Sequence, residues 1–166
     1  MPETSKEFTT YKWSGLLKTL RQMLITSSPC EEGINWRVKL PASGAKRSPS
    51  FNTSIANLLV LRGSELETAD LSLFTDPALY APWSSDSAAI WSSSNPGGGN
   101  EKSATLISNN AGVARPVQQT VAKAWKMFSA RAFVHQYQQH GVGEDDFVEA
   151  FAKVEQIVAN YAALAE

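Results

Sequence analysis

The chain has 166 residues, 43% of them hydrophobic, a single cysteine and a formal net charge of -1. That supplies one compact domain with a core and at most a helical extension, and the near-neutral balance lacks the basic footprint that nucleic acid or an anionic membrane surface would call for. Cys30 has no mate for an internal disulfide and no Cys/His cluster has metal-ligand spacing, which fits a reducing, intracellular setting and proteins as partners.

The first residues, MPETSKEF, lack a charged region followed by an apolar stretch, and the longest apolar run, Ile55 to Leu61, is broken by Asn57. It is far too short to cross a bilayer, so a soluble chain is expected. Pro2 to Thr10 is polar and leads straight into a patterned segment, as a cut edge would. From Trp13 to Ile25, Trp13, Leu16, Leu17, Leu20, Met23 and Leu24 recur at helical spacing, which predicts an amphipathic helix. Ser27 to Pro49 carries three prolines and the basic pair Lys46 and Arg47, an irregular connection.

Phe51 to Arg62, FNTSIANLLVLR, ends on Gly63 and reads as a strand buried on both faces. A helix is the competing reading, because alternation is poor. In SELETADLSLF, Ser64 stands three residues before Glu67 in a capping-box relation, predicting a short helix from Glu65 to Phe74. Asp76 to Trp83 holds two prolines and reads as loop. Ala88 to Ser92 and Ser103 to Ser108 read as two paired strands joined by the flexible SSNPGGGNE.

The last third is helical. Val113, Val117, Val121, Trp125, Phe128 and Ala132 share one face, with Pro116 near the first turn. After a break, Phe147, Phe151, Val154, Val158 and Tyr161 repeat at three or four, and Glu144, Asp145 and Asp146 stand where the helix dipole favours negative charge. Two helices joined by a short hinge are expected.

None of the tempting chemical motifs holds up. His135 and His140 lie five residues apart, about 140° around a helix, and do not share a face for a metal. The three consecutive acids serve helix initiation better than a metal site. NPGGGNEKS ends like a phosphate loop, but Glu101 replaces the required glycine and a strand follows instead of a helix. No nucleophile elbow is present. Trp13 and Trp125 fall on apolar helix faces and read as core, whereas Trp83 and Trp91 are left open.

KMFSARAFVHQYQQHGVGEDDF resembles the junction between the two carboxyl-terminal helices of the tubulin superfamily, through Phe128, Arg131, Ala132, Phe133, His135, Tyr137, Asp146 and Phe147. KSATLISNN is similar to the last strand of that family's intermediate domain, and SIANLLVLRG to its buried strand ending in Arg-Gly. WSGLLKTLRQMLI, EEGINW, FNTSIANL and DPALY resemble the delta branch in particular.

The resemblance implies an α+β chain: a partial tubulin-type intermediate domain, a small mixed sheet with flanking helices over 1–110, followed by a carboxyl-terminal helical hairpin over 111–166. It implies a sheet short of one strand, hence an unpaired edge. It also implies a structural cytoskeletal protein of the cytoplasm, acting in centriole and basal-body (triplet) microtubule assembly, with epsilon-tubulin and other centriolar or tubulin-family proteins as partners and neither nucleic acid nor membrane.

The family's glycine-rich nucleotide loop does not occur, so the resemblance implies no cofactor and no enzymatic activity in this chain, GTP belonging to the full-length family. Subunit contacts carried over from the family fall on Thr4, Ser5, Lys6 and Glu7, in a lateral loop that is shorter here, and on Arg131, Phe133, His135 and Tyr137. The basic pair before Ala-Phe is only partly retained, with Ser129 and Ala130 preceding Arg131, and no glutamate-rich tail follows. A non-polymerising adaptor with a tubulin-like fold, and the part of a GTP-binding switch protein whose nucleotide domain is absent, remain alternatives.

Overall fold

A computed structural model describes residues 12–42, 48, 50–85, 88–96 and 99–165. The chain is mixed α and β, and it divides after Asn110 into two compact units.

In the first unit the predicted helix is present as α1, Trp13–Thr26. Its apolar stripe builds two clusters: Trp13 and Leu17 pack with Leu59, Leu61 and Phe74, while Leu24 and Ile25 pack with Val38, Phe51, Leu79 and Tyr80. The Trp13 indole N–H donates to the carbonyl of Ser64 at 2.7 Å, which satisfies the one polar atom of a fully buried ring. α1 stops where Ser27 turns left-handed (φ 53°), its N–H and that of Ser28 returning to the carbonyls of Leu24 and Met23.

The connection that follows is irregular, as its prolines require, apart from a 3-10 turn at Glu31–Gly33. Buried Gln22 ties it to the helix by donating from Nε2 to the carbonyls of Asn35 and Val38, each at 2.9 Å.

The sheet has three strands in the order β2-β1-β3. β1 is Ser54–Gly63, β2 Ala88–Ser93 and β3 Lys102–Asn110. β1 runs parallel to β2, with Leu59 opposite Ile90, and antiparallel to β3, with Leu59 opposite Leu106.

Several expectations are corrected. The second and third strands do not pair with each other, because β1, the most apolar of the three, lies between them and takes both as partners. β1 starts at Ser54, after the buried Phe51, Asn52 and Thr53, with an irregularity in register between Ser54 and Ala56. It is not buried on both faces: Leu59 and Leu61 face the core, while Leu58 and Val60 are half-buried.

The helix expected from Glu65 to Phe74 is split into a 3-10 turn, Leu66–Thr68, and a four-residue α2, Ser72–Thr75. No capping box forms. Glu65 is left-handed (φ 55°) and its carboxylate pairs with the ammonium of Lys102, while the Ser64 hydroxyl donates to Glu101. The Asp76–Trp83 loop contains a 3-10 turn at Pro77–Leu79, whose first N–H groups include that of Ala78 bonded to the Asp76 carboxylate. Far from being a surface loop, it buries Leu79, Tyr80 and Ala81.

In the second unit α3 is Ala114–Ser129 and α5 is Glu144–Ala162, packed along each other. The hinge expected between them is not a simple one, because a short helix, α4 (Val134–Gln138), stands in it. Val121 and Phe151 are buried between the long helices, but Val113, expected on the same face, is exposed. No described helix is long and apolar enough to cross a membrane.

Candidate functional site: the aromatic junction of the terminal helices

α3 ends in overlapping bonds, from the N–H of Ala130, Arg131 and Ala132 to the carbonyls of Lys126, Phe128 and Met127. Arg131 (φ 53°) and Phe133 (φ 63°) then both take left-handed backbone conformations, unusual for residues with side chains and costly by about 1–2 kcal/mol each. Those two reversals turn the chain into α4, which is anchored by buried Val134. Past Gly141 (φ 82°), α5 begins on three acids, and the Asp146 carboxylate accepts the N–H of Gly143 at 2.7 Å, so those acids serve helix initiation.

An aromatic ladder holds the long helices together. Trp125 stacks on Phe151 with centroids 4.4 Å apart, Phe128 on Phe147 at 5.3 Å, and Tyr137 meets Phe147 edge-on at 5.2 Å. Such pairs add about 0.5–1.5 kcal/mol to the area they bury. Beyond the ladder, Met127, Phe133, Tyr137 and Phe147 help to line an apolar cavity of about 450 Å³.

Of the residues singled out in the sequence, the structure brings Arg131, Phe133, His135 and Tyr137 onto this one turn. Phe133 is 55% exposed and Tyr137 51%; Arg131 and His135 are exposed as well. Arg131 approaches Glu144 at 3.8 Å, a loose surface pair. Tyr137 is also structural, since its carbonyl receives the N–H groups of His140 and Val142. Thr4, Ser5, Lys6 and Glu7 lie outside the described residues. No group of three or more His, Cys, Asp or Glu among the described residues is placed to hold a metal.

Two features went unread in the sequence. Met127, off the core-facing stripe of α3, and Val142, in the turn before α5, are exposed apolar side chains, and a periodicity of buried positions does not mark them. The indole N–H of Trp125 donates to Glu155 at 2.7 Å. Only the pairing of the two helices brings those residues together. Trp83 and Trp91, left open by the sequence, are 67% and 70% exposed.

No family model matches the chain. It is 45% identical over 174 residues to the tubulin delta chain of Mus musculus, an alignment covering 99% of this chain and 38% of the relative. It is 45% identical to the tubulin delta chain of Canis lupus familiaris and 43% identical to that of Homo sapiens, in each case over 97% of this chain and 38% of the relative. The chain thus spans well under half the length of these curated relatives.

Proposed function

The chain belongs to the tubulin family, with delta chains as the relatives it matches, and on that premise we propose that it is the carboxyl-terminal part of a cytoskeletal subunit acting in centriole and basal-body triplet microtubules. Its work is done through protein contacts, with epsilon-tubulin and other centriolar or tubulin-family proteins as partners. Residues 1–110 correspond on this reading to part of the intermediate domain and 111–166 to the outer helical hairpin. GTP binding falls to the portion of the relatives that this chain does not span.

The observation that carries this reading is the identity extending over nearly the whole chain. The exposed junction at Arg131, Phe133 and Tyr137 supports contact there, because exposed aromatics and arginine are the side chains that anchor protein interfaces. It is tested by recovering partners of the tagged chain from ciliated cells, beside a variant carrying Arg131→Ala and Phe133→Ala, with circular dichroism confirming that both fold. Tubulin-family and centriolar proteins recovered by the unmodified chain and lost from the variant are expected. Equal recovery by both moves the contact elsewhere, and recovery by neither overturns the assignment of partner contacts to this chain.

A further inference from the structure

β2 is an edge strand. Its inner side pairs with β1 from Asn57 opposite Ala88 to Arg62 opposite Ser93, and among the described residues no backbone group of Ala88–Ser93 bonds outside that ladder. An open edge presents a row of unpaired N–H and C=O groups, and folded proteins blunt such edges with lysine, proline, a bulge or a covering element. Among the described residues β2 shows none of these. Its sequence, AAIWSS, carries no charge and no proline, its register with β1 is unbroken, and Ala89, Trp91, Ser92 and Ser93 are exposed.

We propose that β2 pairs with β2 of a second copy of this chain, antiparallel about a two-fold axis through Trp91. A second copy fits because the strand is self-complementary. With no charge along it, antiparallel self-pairing sets no like charges opposite each other. Side chains alternate between faces, so a two-fold pairing that keeps both core faces on the same side must be centred on a residue. Centring on Trp91 puts the two indoles side by side and sets Ala89 opposite Ser93 and Ile90 opposite Ser92. The small Ala89 and Ser93 on the same face leave room for the rings, and part of the surface of Trp91, 70% exposed in the single chain, is covered. The two three-stranded sheets become one six-stranded sheet. The inference rests on the strand alone and not on the family reading.

The test is the mass of the full chain in solution across a concentration series, by light scattering or sedimentation. Mass is expected to rise from 18.1 kDa toward twice that value, with a tryptophan–tryptophan exciton couplet appearing in the circular dichroism as it does. Trp91→Lys, which sets two ammonium groups beside each other across the axis, and Ala89→Lys, which sets a long charged side chain on each flank of the paired rings, are both at exposed positions and are expected to weaken self-association by about tenfold or more while the monomer stays folded. Trp83→Lys, an exposed tryptophan off the strand, is expected to behave as the parent does. A chain that stays monomeric throughout overturns the proposal, as does a dimer that persists in both folded lysine variants.

Discussion

Trp125 and Glu155 are bound across the terminal hairpin, the indole N–H reaching the carboxylate at 2.7 Å, 30 residues away in sequence. The bond fixes the rotation of α3 against α5 at the point where Trp125 stacks on Phe151. Glu155→Ala is expected to cost about 0.5–1 kcal/mol, since the acceptor is exposed. Trp125→Ala is expected to cost about 2–3 kcal/mol, because it removes a half-buried ring as well. Urea denaturation of the two single variants and the double variant separates the bond from the stack.

Gly63 admits no side chain. Its φ is +139°, and a Cβ there would lie 2.3 Å from the carbonyl oxygen of Glu101 and 2.9 Å from Cα of Lys102. Both obstacles are backbone, at the first residue of β3 and the residue before it, and cannot step aside without breaking the ladder at Gly63 opposite Lys102. Gly63→Ala is expected to destabilise the first unit by about 2–4 kcal/mol, read as a fall in urea midpoint with the helix content of the hairpin retained.

Tyr80 makes stability depend on alkaline pH. Burial raises its phenol above the ordinary value of 10.0, and the hydrogen bond from Asn57 opposes that only in part. The group is therefore neutral in the fold to higher pH than in the unfolded chain, so its contribution is whole below about 10 and is lost as pH rises from there through the raised folded value. Tyr80→Phe should flatten that alkaline decline. At neutral pH it should cost about 1–2 kcal/mol, because the carbonyl of Phe74 and the amide of Asn57 both lose a buried partner. Melting temperatures of parent and variant on either side of pH 10 check both statements.

Arg131 is left-handed, and its ion pair with Glu144 at 3.8 Å is loose and exposed. Arg131→Gly removes the steric cost of that backbone and is expected to stabilise the hairpin by about 0.5 kcal/mol. If Arg131 contacts partners as proposed, the same substitution lowers partner recovery, so stability and binding move in opposite directions. Thermal melting and recovery assays on one variant check the pair.

The amphipathic helices were legible in the sequence because their burial follows a single period: Trp13, Leu17 and Leu24 are buried, as their spacing requires. Strand pairing was not legible. β2 and β3 are neighbours in sequence, but which strand each bonds depends on β1 having two free edges, a property of the assembled sheet. The helix expected after Ser64 failed for a related reason. Its capping pattern was real as a local preference, but the Ser64 hydroxyl is engaged by Glu101 and Glu65 by Lys102, both brought there by β3. At the junction the structure gathers Phe133 and Tyr137, both exposed, on one turn. The left-handed turns at Arg131 and Phe133 that expose them carry no glycine or asparagine to announce them.

The order β2-β1-β3 also sets the sequence of events as the chain leaves the ribosome. β1 emerges first and carries Leu58 to Leu61, but its parallel neighbour comes some 30 residues later and its antiparallel neighbour later still. Until Asn110 has appeared, the most apolar strand waits with at least one edge unsatisfied, its core side chains Leu59 and Leu61 packed against Trp13 and Leu17 of α1 and against Phe74. In the second unit, α3 and α5 pack along each other within one short stretch of sequence. Long-range closure of this kind is slow, so Leu58 to Leu61 stay open to pairing with another strand until β3 is in place.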